Sequence, residues 1–521
     1  MYELNDEGVN NIFTRETTLS GNGAIKLAST NNIFVDDFGN LSKFKSPRNY
    51  VDIFSTMKEL YNADKLLALK ETFYLRLITR KTIVGNTKLT TQIGTGLKNE
   101  FLYRMIWLMI NDLDVFNKNL YLIPLVGSYY DIFQLLRISY DFKIDNSLLY
   151  YFILKSLQDD SVVNLIKKYL PTIKSKKHCT TRRNTINSII GKHIAKDLFV
   201  CNSYERYRKF KAQGTAHDWE QKISQQNYSE LDFSKIAGRA LSKLAKSKFL
   251  DNHNLTTKFE EWLDKQPVAK FTGYPYELFK GNFNSSYKKS LVNKQFQTLL
   301  DNVKDCNSSY IVAVDTSGSM QSTAAGTNTS SINVAFSMAL YFAHLLKGIF
   351  CKTWLEFANN TKVRTLDGYT YVDQFEEMLR HEAYGSTNFI SIAELFVSKF
   401  NGSNESEFPT GLICISDGEF NGCGNSTNNQ AFRNILLDGG FSKDFVNNFK
   451  IILWDIPNNF YNEGLTSKFE SLANEPNIFY MSGLDPSGIS FMFGKEQTIP
   501  KTAKELFEKA MNQDLLNMVS I

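Results

Sequence analysis

Proline and cysteine are both scarce in this sequence, and each scarcity excludes a class of protein. Ten prolines in 521 residues leave little room for long disordered linkers. The cysteines include no Cys-x-x-Cys pair, which argues against a zinc site and against a disulfide framework. They lie far apart along the chain, at Cys179, Cys201, Cys306, Cys351, Cys414 and Cys423. The cysteine pattern therefore indicates a reducing compartment.

The N-terminal residues do not have the pattern of a signal peptide, and the apolar stretches of the chain are interrupted. Its first residues, MYELNDEGVNN, are acidic where a signal peptide is basic and then apolar. The most apolar stretches are 101–110, broken by Arg104, and 334–350, broken by His344 and Lys347, so neither has the pattern of a membrane span. We therefore expect a cytoplasmic protein with no membrane contact; packaging into a virion is the alternative.

Motifs typical of enzymes are missing as well. The six histidines are scattered without an H-E-x-x-H pair, and there is no G-x-S-x-G elbow or Walker A loop. Glu419 is a conceivable general base, but a surface carboxylate at the end of a strand is the simpler interpretation. The sequence predicts that the protein is not an enzyme.

The chain is longer than a single domain with one hydrophobic core usually is, so more than one domain is expected. The sequence pattern also changes along the chain. Residues 1–45 predict an extended N-terminal arm. Residues 46–300 have a helical pattern: within 64–81, an apolar stripe recurs every three to four residues at Leu66, Leu69, Phe73 and Leu77. No strict repeat period is present, although the pattern permits an irregular helical solenoid.

Residues 305–521 predict a different class of fold. Short apolar runs at 310–314, 353–357, 411–415, 450–454 and 478–481 predict buried strands, with helices between them. This alternation is typical of an open, mainly parallel, Rossmann-like α/β sheet. We therefore predict an α + α/β protein, helical in its N-terminal part and α/β in its C-terminal part.

Three loops of the C-terminal part carry oxygen ligands. D-T-S-G-S at 315–319 follows the first predicted strand, G-S-T-N at 385–388 precedes a helix, and S-D-G at 416–418 ends another strand. Because the carboxyl ends of parallel strands meet at one edge of the sheet, we expect the loops to converge. The oxygen-only donor set suits Mg²⁺, with Mn²⁺ as the alternative. The candidate ligands are Asp315, Ser317, Ser319, Thr387 and Asp417. The plainer interpretation of D-T-S-G-S is a loop with a helix cap.

The order D-x-S-x-S, distant Thr, distant Asp resembles the metal-ion-dependent adhesion site of von Willebrand factor A domains. The resemblance implies that Ser317, Ser319 and Thr387 coordinate the metal directly. It implies that Asp315 and Asp417 act mainly through water. Neutral hydroxyls leave the charge of Mg²⁺ under-compensated, so we expect an acidic residue of a partner protein to complete the site.

Positive charge is concentrated in one segment. Residues 171–250 contain 17 Lys and Arg against 6 Asp and Glu, an excess of +11 in a chain whose net charge is +5. Cations alternate with aromatic residues in Y-E-R-Y-R-K-F-K at 204–211, a combination that single-stranded RNA binding uses. The candidate RNA-binding residues are Lys174, Lys176, Lys177, Arg182, Arg183, Lys192, His193, Arg206, Arg208, Lys209 and Lys211. The alternative is a solvated helix face whose aromatic residues point into the core.

Several segments resemble the TROVE-type helical domain of Ro60-like proteins, and the related DUF2828 family more closely. They are 20–24 (S-G-N-G-A), 65–76 (K-L-L-A-L-K-E-T-F-Y-L-R), 119–133 (N-L-Y-L-I-P-L-V-G-S-Y-Y-D-I-F) and 271–278 (F-T-G-Y-P-Y-E-L). The basic turn that often follows the first helix in relatives is replaced here by 78–88. The resemblance implies a HEAT-like solenoid or ring, closed by the A domain, that binds small structured RNAs or single-stranded RNA ends.

Two functional hypotheses follow from these patterns. The first is a Ro60-like RNA-binding protein, part of a ribonucleoprotein, whose A domain docks a protein partner through the metal. The second is a scaffold or virion-associated interaction protein without an RNA role. The Asn- and Lys-rich composition, typical of an AT-rich bacterial or phage genome, is compatible with the second hypothesis.

Overall fold

The computed structural model describes most of the chain in separate ranges. They are 17–20, 22–41, 48–84, 87–213, 218–281, 283–303, 309–347, 349–381, 384–400, 402, 404–456, 469–493 and 498–521. Among the helices of these ranges, none combines the length and apolar character that crossing a bilayer requires.

The chain divides into two compact units. Met1–Pro47 and Pro267–Asn512 form the α/β unit, and Arg48–Gln266 and Gln513–Ile521 form the helical unit. This division differs from the predicted boundaries of 46–300 and 305–521 at both ends. Phe279 stacks on Phe375 with ring centroids 4.4 Å apart, which places 267–300 in the α/β unit. Gln513 exchanges hydrogen bonds of 2.7 and 3.0 Å with the backbone of Ile93, which places the C-terminus in the helical unit.

The N-terminal segment is structured, contrary to the extended arm predicted for 1–45. Strands β1 (Thr17–Leu19) and β2 (Ile25–Leu27) pair antiparallel and are followed by the helix Ile33–Gly39. Phe34 and Phe38 of this helix each lie 5.6 Å from the ring of Phe507. The polar composition concealed these apolar anchors, which pack the segment onto the α/β unit. Residues 1–16 lie outside the described ranges.

Short, closely connected helices make up most of the helical unit. They occupy Tyr50–Ala63, Lys65–Arg76, Lys98–Asn111, Leu113–Asn119, Ile123–Val126, Tyr129–Phe142, Ser147–Ser156, Val163–Tyr169, Arg182–Leu198, Ser203–Ala212, Asp218–Ser224, Gly238–Lys246, Phe249–Asn252 and Thr256–Asp264. An antiparallel hairpin of β3 (Ile78–Val84) and β4 (Thr87–Thr95) follows the second helix.

The helix Lys65–Arg76 is shorter than its apolar stripe predicted. Asp64 caps its start by accepting a hydrogen bond of 2.9 Å from the backbone of Leu67. Leu69, Phe73 and Leu77 are fully buried, as the stripe predicted, whereas Leu66 is 37% exposed. After Leu77 the chain becomes extended, because residues 78–84 pair with 87–95 instead of continuing the helix.

Asp131 is the buried polar centre on which the first helices of this unit meet. Its carboxylate accepts hydrogen bonds from Arg76 at 2.8 and 3.0 Å and from the backbone of Ser128 at 2.9 Å, and Lys98 lies at 3.1 Å. A Cβ atom at Gly127 would lie 2.3 Å from that carboxylate, so the close approach requires glycine. The segments 65–76 and 119–133 are therefore joined through one carboxylate.

The α/β unit is built on a six-stranded sheet. Its strands are β5 (Tyr310–Asp315), β6 (Thr353–Phe357), β7 (Thr361–Thr365), β8 (Gly411–Ser416), β9 (Lys450–Asp455) and β10 (Ile478–Ser482). The order is β10-β9-β8-β5-β6-β7, and every pair is parallel except β6 with β7. The structure confirms the predicted mixed fold class and its mainly parallel sheet. Strand β7, T-K-V-R-T, is an additional edge strand whose polar residues concealed it.

Helices cover the sheet and complete its core. They occupy Pro275–Leu278, Ser286–Leu300, Ser331–Leu345, Tyr371–Met378, Ser391–Phe400, Asn428–Asp438, Lys443–Asn448 and Ala503–Met511. On one face, Ile311 and Leu412 of the central strands pack in a cluster with Ile392, Phe396 and Phe432. The central strands are buried on both faces, which is why their sequences are almost continuously apolar.

A buried ion pair holds the N-terminal segment on the α/β unit. Lys26 on β2 pairs with Glu470, and neither residue is more than 4% exposed. The Lys26 ammonium also lies 4.3 Å from the centre of the Phe420 ring. Removing one member of such a pair leaves the other charge buried without compensation.

We therefore predict that Lys26→Met destabilises the α/β unit by about 3 kcal/mol or more. Thermal unfolding of the full chain, followed by circular dichroism, measures this as a lower melting temperature. The double variant Lys26→Met/Glu470→Gln removes both charges and should recover part of the loss. An unchanged melting temperature for Lys26→Met would contradict the prediction.

Candidate metal centre and basic surface

The three predicted loops converge at the carboxyl edge of the sheet. Asp315 ends β5 and Asp417 follows β8, and these two strands are neighbours in parallel register. The backbone N–H of Gly318 donates to the carbonyl of Gly385 at 3.3 Å, which joins the first loop to the second. Asn421 joins the third loop to the second: it donates to the carbonyl of Thr387 at 2.9 Å, and its side chain accepts from the N–H of Thr387 at 3.2 Å.

Four of the five candidate ligands are buried. Asp315, Ser317, Thr387 and Asp417 are at most 2% exposed, and Ser319 is half-buried. The hydroxyl oxygens of Ser317 and Ser319 are 3.1 Å apart. The donor set predicted from three separate motifs is thus held together by the loop contacts.

Asp315 is fixed by its neighbours through both carboxylate oxygens. One oxygen accepts from the backbone of Ser317 at 2.9 Å, and the other accepts from the hydroxyl of Ser416 at 2.6 Å. Burial, and then the negative charge of Asp417, raise the pKa of Asp315 to about 7. Two carboxylates in one buried crevice are therefore electrostatically unfavourable without a cation.

The surroundings of the Thr387 hydroxyl indicate whether these residues fit a metal. Its oxygen is buried and has no hydrogen-bond partner among the residues that the structure describes. A buried hydroxyl without a partner is costly, so the position favours a ligand that takes its oxygen as a donor. In the described ranges no group of three or more His, Cys, Asp or Glu side chains offers a different kind of metal site. The donor set fits a hard divalent cation.

Two residues near the site differ from expectation or were missed. Glu419, predicted to be a surface carboxylate, is only 4% exposed because the third loop folds inward after Asp417. Asn22 was not predicted at all: its side chain donates to the carbonyl of Glu419 at 2.6 Å, and its carbonyl accepts from Gly422 at 3.0 Å. The S-G-N-G-A segment, which we attributed to the helical domain, thus supports the metal loops.

The basic segment is placed largely on the surface of the helical unit. Lys174, Lys192 and Lys211 are half-buried, and the side chain of Lys176 lies outside what the structure describes. The exposed members are Lys177, Arg182, Arg183, His193, Arg206, Arg208 and Lys209. Several of these already have ionic partners: Arg182 pairs with Asp141 at 2.5 Å, His193 with Asp197 at 3.3 Å and Lys209 with Glu205 at 3.0 Å.

The aromatic residues of 204–211 divide between core and surface, with Tyr204 37% exposed. Tyr207 is fully buried and donates to the carbonyl of Pro171 at 2.8 Å, so it does not present a face to a base. Phe210 is half-buried and packs edge-on against Phe199. The ammonium of Lys211 donates to the carbonyl of Leu170 at 2.5 Å. This helix is thus amphipathic, and the cations on its exposed face are Arg206, Arg208 and Lys209.

Comparisons with known proteins give a family match over part of the chain and similarity to distant solved structures. Residues 309–517 match the family described as Domain of unknown function (DUF7788), which covers less than half of the chain. The matching family is therefore not DUF2828, the family that the motifs resembled. No curated protein matches the chain.

Two solved structures show low similarity. The Deinococcus radiodurans RO (RSR) protein is 14% identical over 88% of this chain and 90% of its own, with a TM-score of 0.35. An aerotolerance-related membrane protein from Bacteroides fragilis NCTC 9343 is 12% identical over 28% of this chain and 66% of its own, with a TM-score of 0.20. At such TM-scores neither likeness decides the function of this chain.

The buried Thr387 hydroxyl leads to a prediction for the protein in chelator. Thr387→Val removes an oxygen without a partner and nearly conserves volume, so in EDTA the melting temperature should stay the same or rise. Thr316→Val is the matched control, because the Thr316 hydroxyl donates to the carbonyl of Phe357 at 3.3 Å. The free energy of unfolding of that control variant should fall by about 1 kcal/mol, with a lower melting temperature. A marked loss for Thr387→Val in EDTA would show that its hydroxyl is already satisfied within the protein.

Proposed function

We propose that the α/β unit binds one divalent cation, Mg²⁺ or alternatively Mn²⁺, at a site of the von Willebrand A type. The ligands are Asp315, Ser317, Ser319, Thr387 and Asp417. The observation that carries the proposal is the buried, unpartnered Thr387 hydroxyl beside two carboxylates that follow neighbouring parallel strands. The cation would offset the repulsion between those carboxylates.

The metal would serve docking, and the protein would not be an enzyme. Three of the five donors are neutral hydroxyls, and Mg²⁺ prefers six oxygens, so a bound cation would have capacity for a further, negatively charged ligand. A carboxylate from a partner protein supplies that charge. The proposal is supported by the hydrogen bonds of Ser416, Asn421 and Asn22, which hold the loops that carry the donors.

We further propose that the helical unit binds RNA, as the resemblance to Ro60-like proteins implies. Its helices would form the HEAT-like solenoid or ring of a TROVE-type domain. The RNA would be a small structured RNA or a single-stranded end, bound in the cytoplasm as a ribonucleoprotein. The support from this chain is the charge excess of 171–250 together with the exposed Arg206, Arg208 and Lys209. Lysine and arginine side chains bind phosphates without regard to sequence.

One observation favours the alternative of a scaffold, including a virion-associated one. Tyr50 is 46% exposed and contacts Phe54 and Phe142, with ring centroids 5.8 and 5.1 Å away. Half-buried Tyr103 stacks on Tyr50 with ring centroids 6.4 Å apart, and the next residue along the helix, Val51, is 53% exposed. Grouped apolar side chains at a surface favour protein contact. Sequencing the RNA and identifying the proteins that copurify with the full chain, in Mg²⁺ and in EDTA, separates the two hypotheses.

Metal binding should stabilise the protein. At a Mg²⁺ concentration 100 times the Kd, mass action contributes about 2.7 kcal/mol to the folded state. We expect a higher melting temperature in Mg²⁺ than in EDTA, and we expect Asp417→Ala to abolish the difference. Asp438→Ala, at an exposed helix end, is the control and should keep it. Titration calorimetry with Mn²⁺ provides a direct measurement, and absence of binding to the wild-type chain would refute the metal proposal.

RNA binding should depend on salt and on the exposed cations of Ser203–Ala212. The combined change Arg206→Glu, Arg208→Glu and Lys209→Glu should weaken binding of a labelled oligouridylate at least ten-fold in low salt. The slope of log K against log salt should become shallower by roughly 0.7 for each phosphate that the variant no longer neutralises. The control variant reverses three exposed lysines of this unit outside the basic segment, Lys58, Lys155 and Lys265. Equal affinities for the wild type and the first variant would contradict this placement of the RNA.

A further inference from the structure

Tyr130 is contacted by one cation of its own helix and by cations of two other helices of the helical unit. The ammonium of Lys98 lies 4.2 Å and the guanidinium carbon of Arg137 lies 5.3 Å from the centre of its ring. Arg183 donates to its hydroxyl at 3.1 Å. Of these residues only Arg183 belongs to the basic segment, so the cluster is not visible as a run of charge in the sequence.

Arg76 and Arg80 adjoin the same place. Arg76 binds Asp131, the residue after Tyr130, and Lys98 contacts the same carboxylate. Arg80, on β3, donates to the carbonyl of Leu125. We call Arg76, Arg80, Lys98, Tyr130, Arg137 and Arg183 the Tyr130 cluster.

Positive charge in the Tyr130 cluster is under-compensated. Among the contacts that the structure describes, Asp131 pairs with two of the five cations, Arg76 and Lys98. Arg80, Arg137 and Arg183 donate to neutral groups there. Burial, and then the charge of Arg76, lower the pKa of Arg80. Burial also lowers the pKa of Arg137; the interaction with Tyr130 opposes that effect and the charge of Arg183 adds to it. The cations therefore repel one another, and an anion bound among them would relieve that repulsion.

Hydrogen-bond donors in the cluster are also in excess. The Nε atom of Arg80 is buried and has no acceptor among the described residues. Arg137 gives one bond of 2.6 Å to the side chain of Asn187 and a second to Gln134, out of the five N–H donors of a guanidinium. A phosphate satisfies neighbouring arginine side chains better than a single carboxylate does, because a phosphate offers more negative charge and more hydrogen-bond acceptors.

We propose that the Tyr130 cluster is a phosphate-binding site. Its guanidinium groups bind phosphate oxygens, and Arg80 is the donor that gives the hairpin 78–95 a role in binding. The phosphate comes either from the backbone of RNA, in which case the site deepens the proposed RNA function and rests on it, or from a free phosphorylated molecule.

The test uses the full chain and two probes, a labelled twelve-residue oligouridylate and inorganic pyrophosphate. The variant is Arg80→Gln/Arg137→Gln, since neither residue belongs to the basic segment. The matched control, Lys58→Gln/Lys155→Gln, removes equal charge from exposed positions of the same unit. We expect the variant, but not the control, to lose at least ten-fold in affinity for any probe that the wild type binds.

A second measurement needs no substitution and so does not depend on a variant folding. The side chain of Lys98 is 31% exposed and is open to acetylation. A probe that occupies the Tyr130 cluster should slow acetylation of Lys98 several-fold, measured by mass spectrometry, and should leave the exposed Lys58 unchanged.

The outcomes separate the two proposals. Protection of Lys98 by pyrophosphate without binding of oligouridylate supports the cluster as a site for a free phosphate and refutes the RNA function. A different outcome would overturn the proposed phosphate site and keep the RNA function. In it, Arg206→Glu, Arg208→Glu and Lys209→Glu together abolish oligouridylate binding, whereas Arg80→Gln/Arg137→Gln has no effect and Lys98 is not protected. Failure of both probes to bind overturns both.

Discussion

Two carboxylates that end up side by side in a buried crevice constrain the whole carboxyl edge of the sheet. Asp315 and Asp417 follow the neighbouring parallel strands β5 and β8, and each is at most 2% exposed. Their repulsion in a poorly solvated site has to be offset by hydrogen bonds or by a cation. The Ser416 hydroxyl and the Ser317 backbone N–H offset part of the repulsion by donating hydrogen bonds to Asp315. The N-terminal segment contributes from the other side, because Asn22 fastens the loop that follows Asp417.

The helical unit has the opposite electrostatic problem. There one buried carboxylate, Asp131, is the meeting point of Arg76 and Lys98, and further arginines surround the adjacent Tyr130. The α/β unit thus has negative charge in excess at its site, and the helical unit has positive charge in excess at its own. Each excess costs stability, since like charges that lie close together in a poorly solvated site repel one another. A cation at the first site and an anion at the second are the ligands that would remove those costs.

The convergence of the three loops could be predicted from the sequence because each loop is tied to a local pattern. The strands before Asp315 and Asp417 are buried on both faces, so their apolar runs stand out. Parallel strands then bring their carboxyl ends together without further information. Features that depend on long-range packing were not predictable. Strand β7 is a polar edge strand, Asn22 reaches Glu419 across nearly four hundred residues, and Lys26 with Glu470 forms a pair that no spacing rule indicates.

The basic segment shows why a count of charges along the chain is a poor guide to a binding surface. In the helix Ser203–Ala212, successive residues point in different directions, so Tyr207 enters the core while Arg206 and Arg208 face solvent. The Tyr130 cluster is assembled in the reverse way, from a hairpin strand and from helices that are distant in sequence. Its cations are individually unremarkable in the sequence, and only their common approach to one tyrosine concentrates them. The strength of an anion site depends on charge per volume and not on charge per length of chain. The two basic regions of the helical unit are therefore distinct physical hypotheses, although a charge profile registers only one of them.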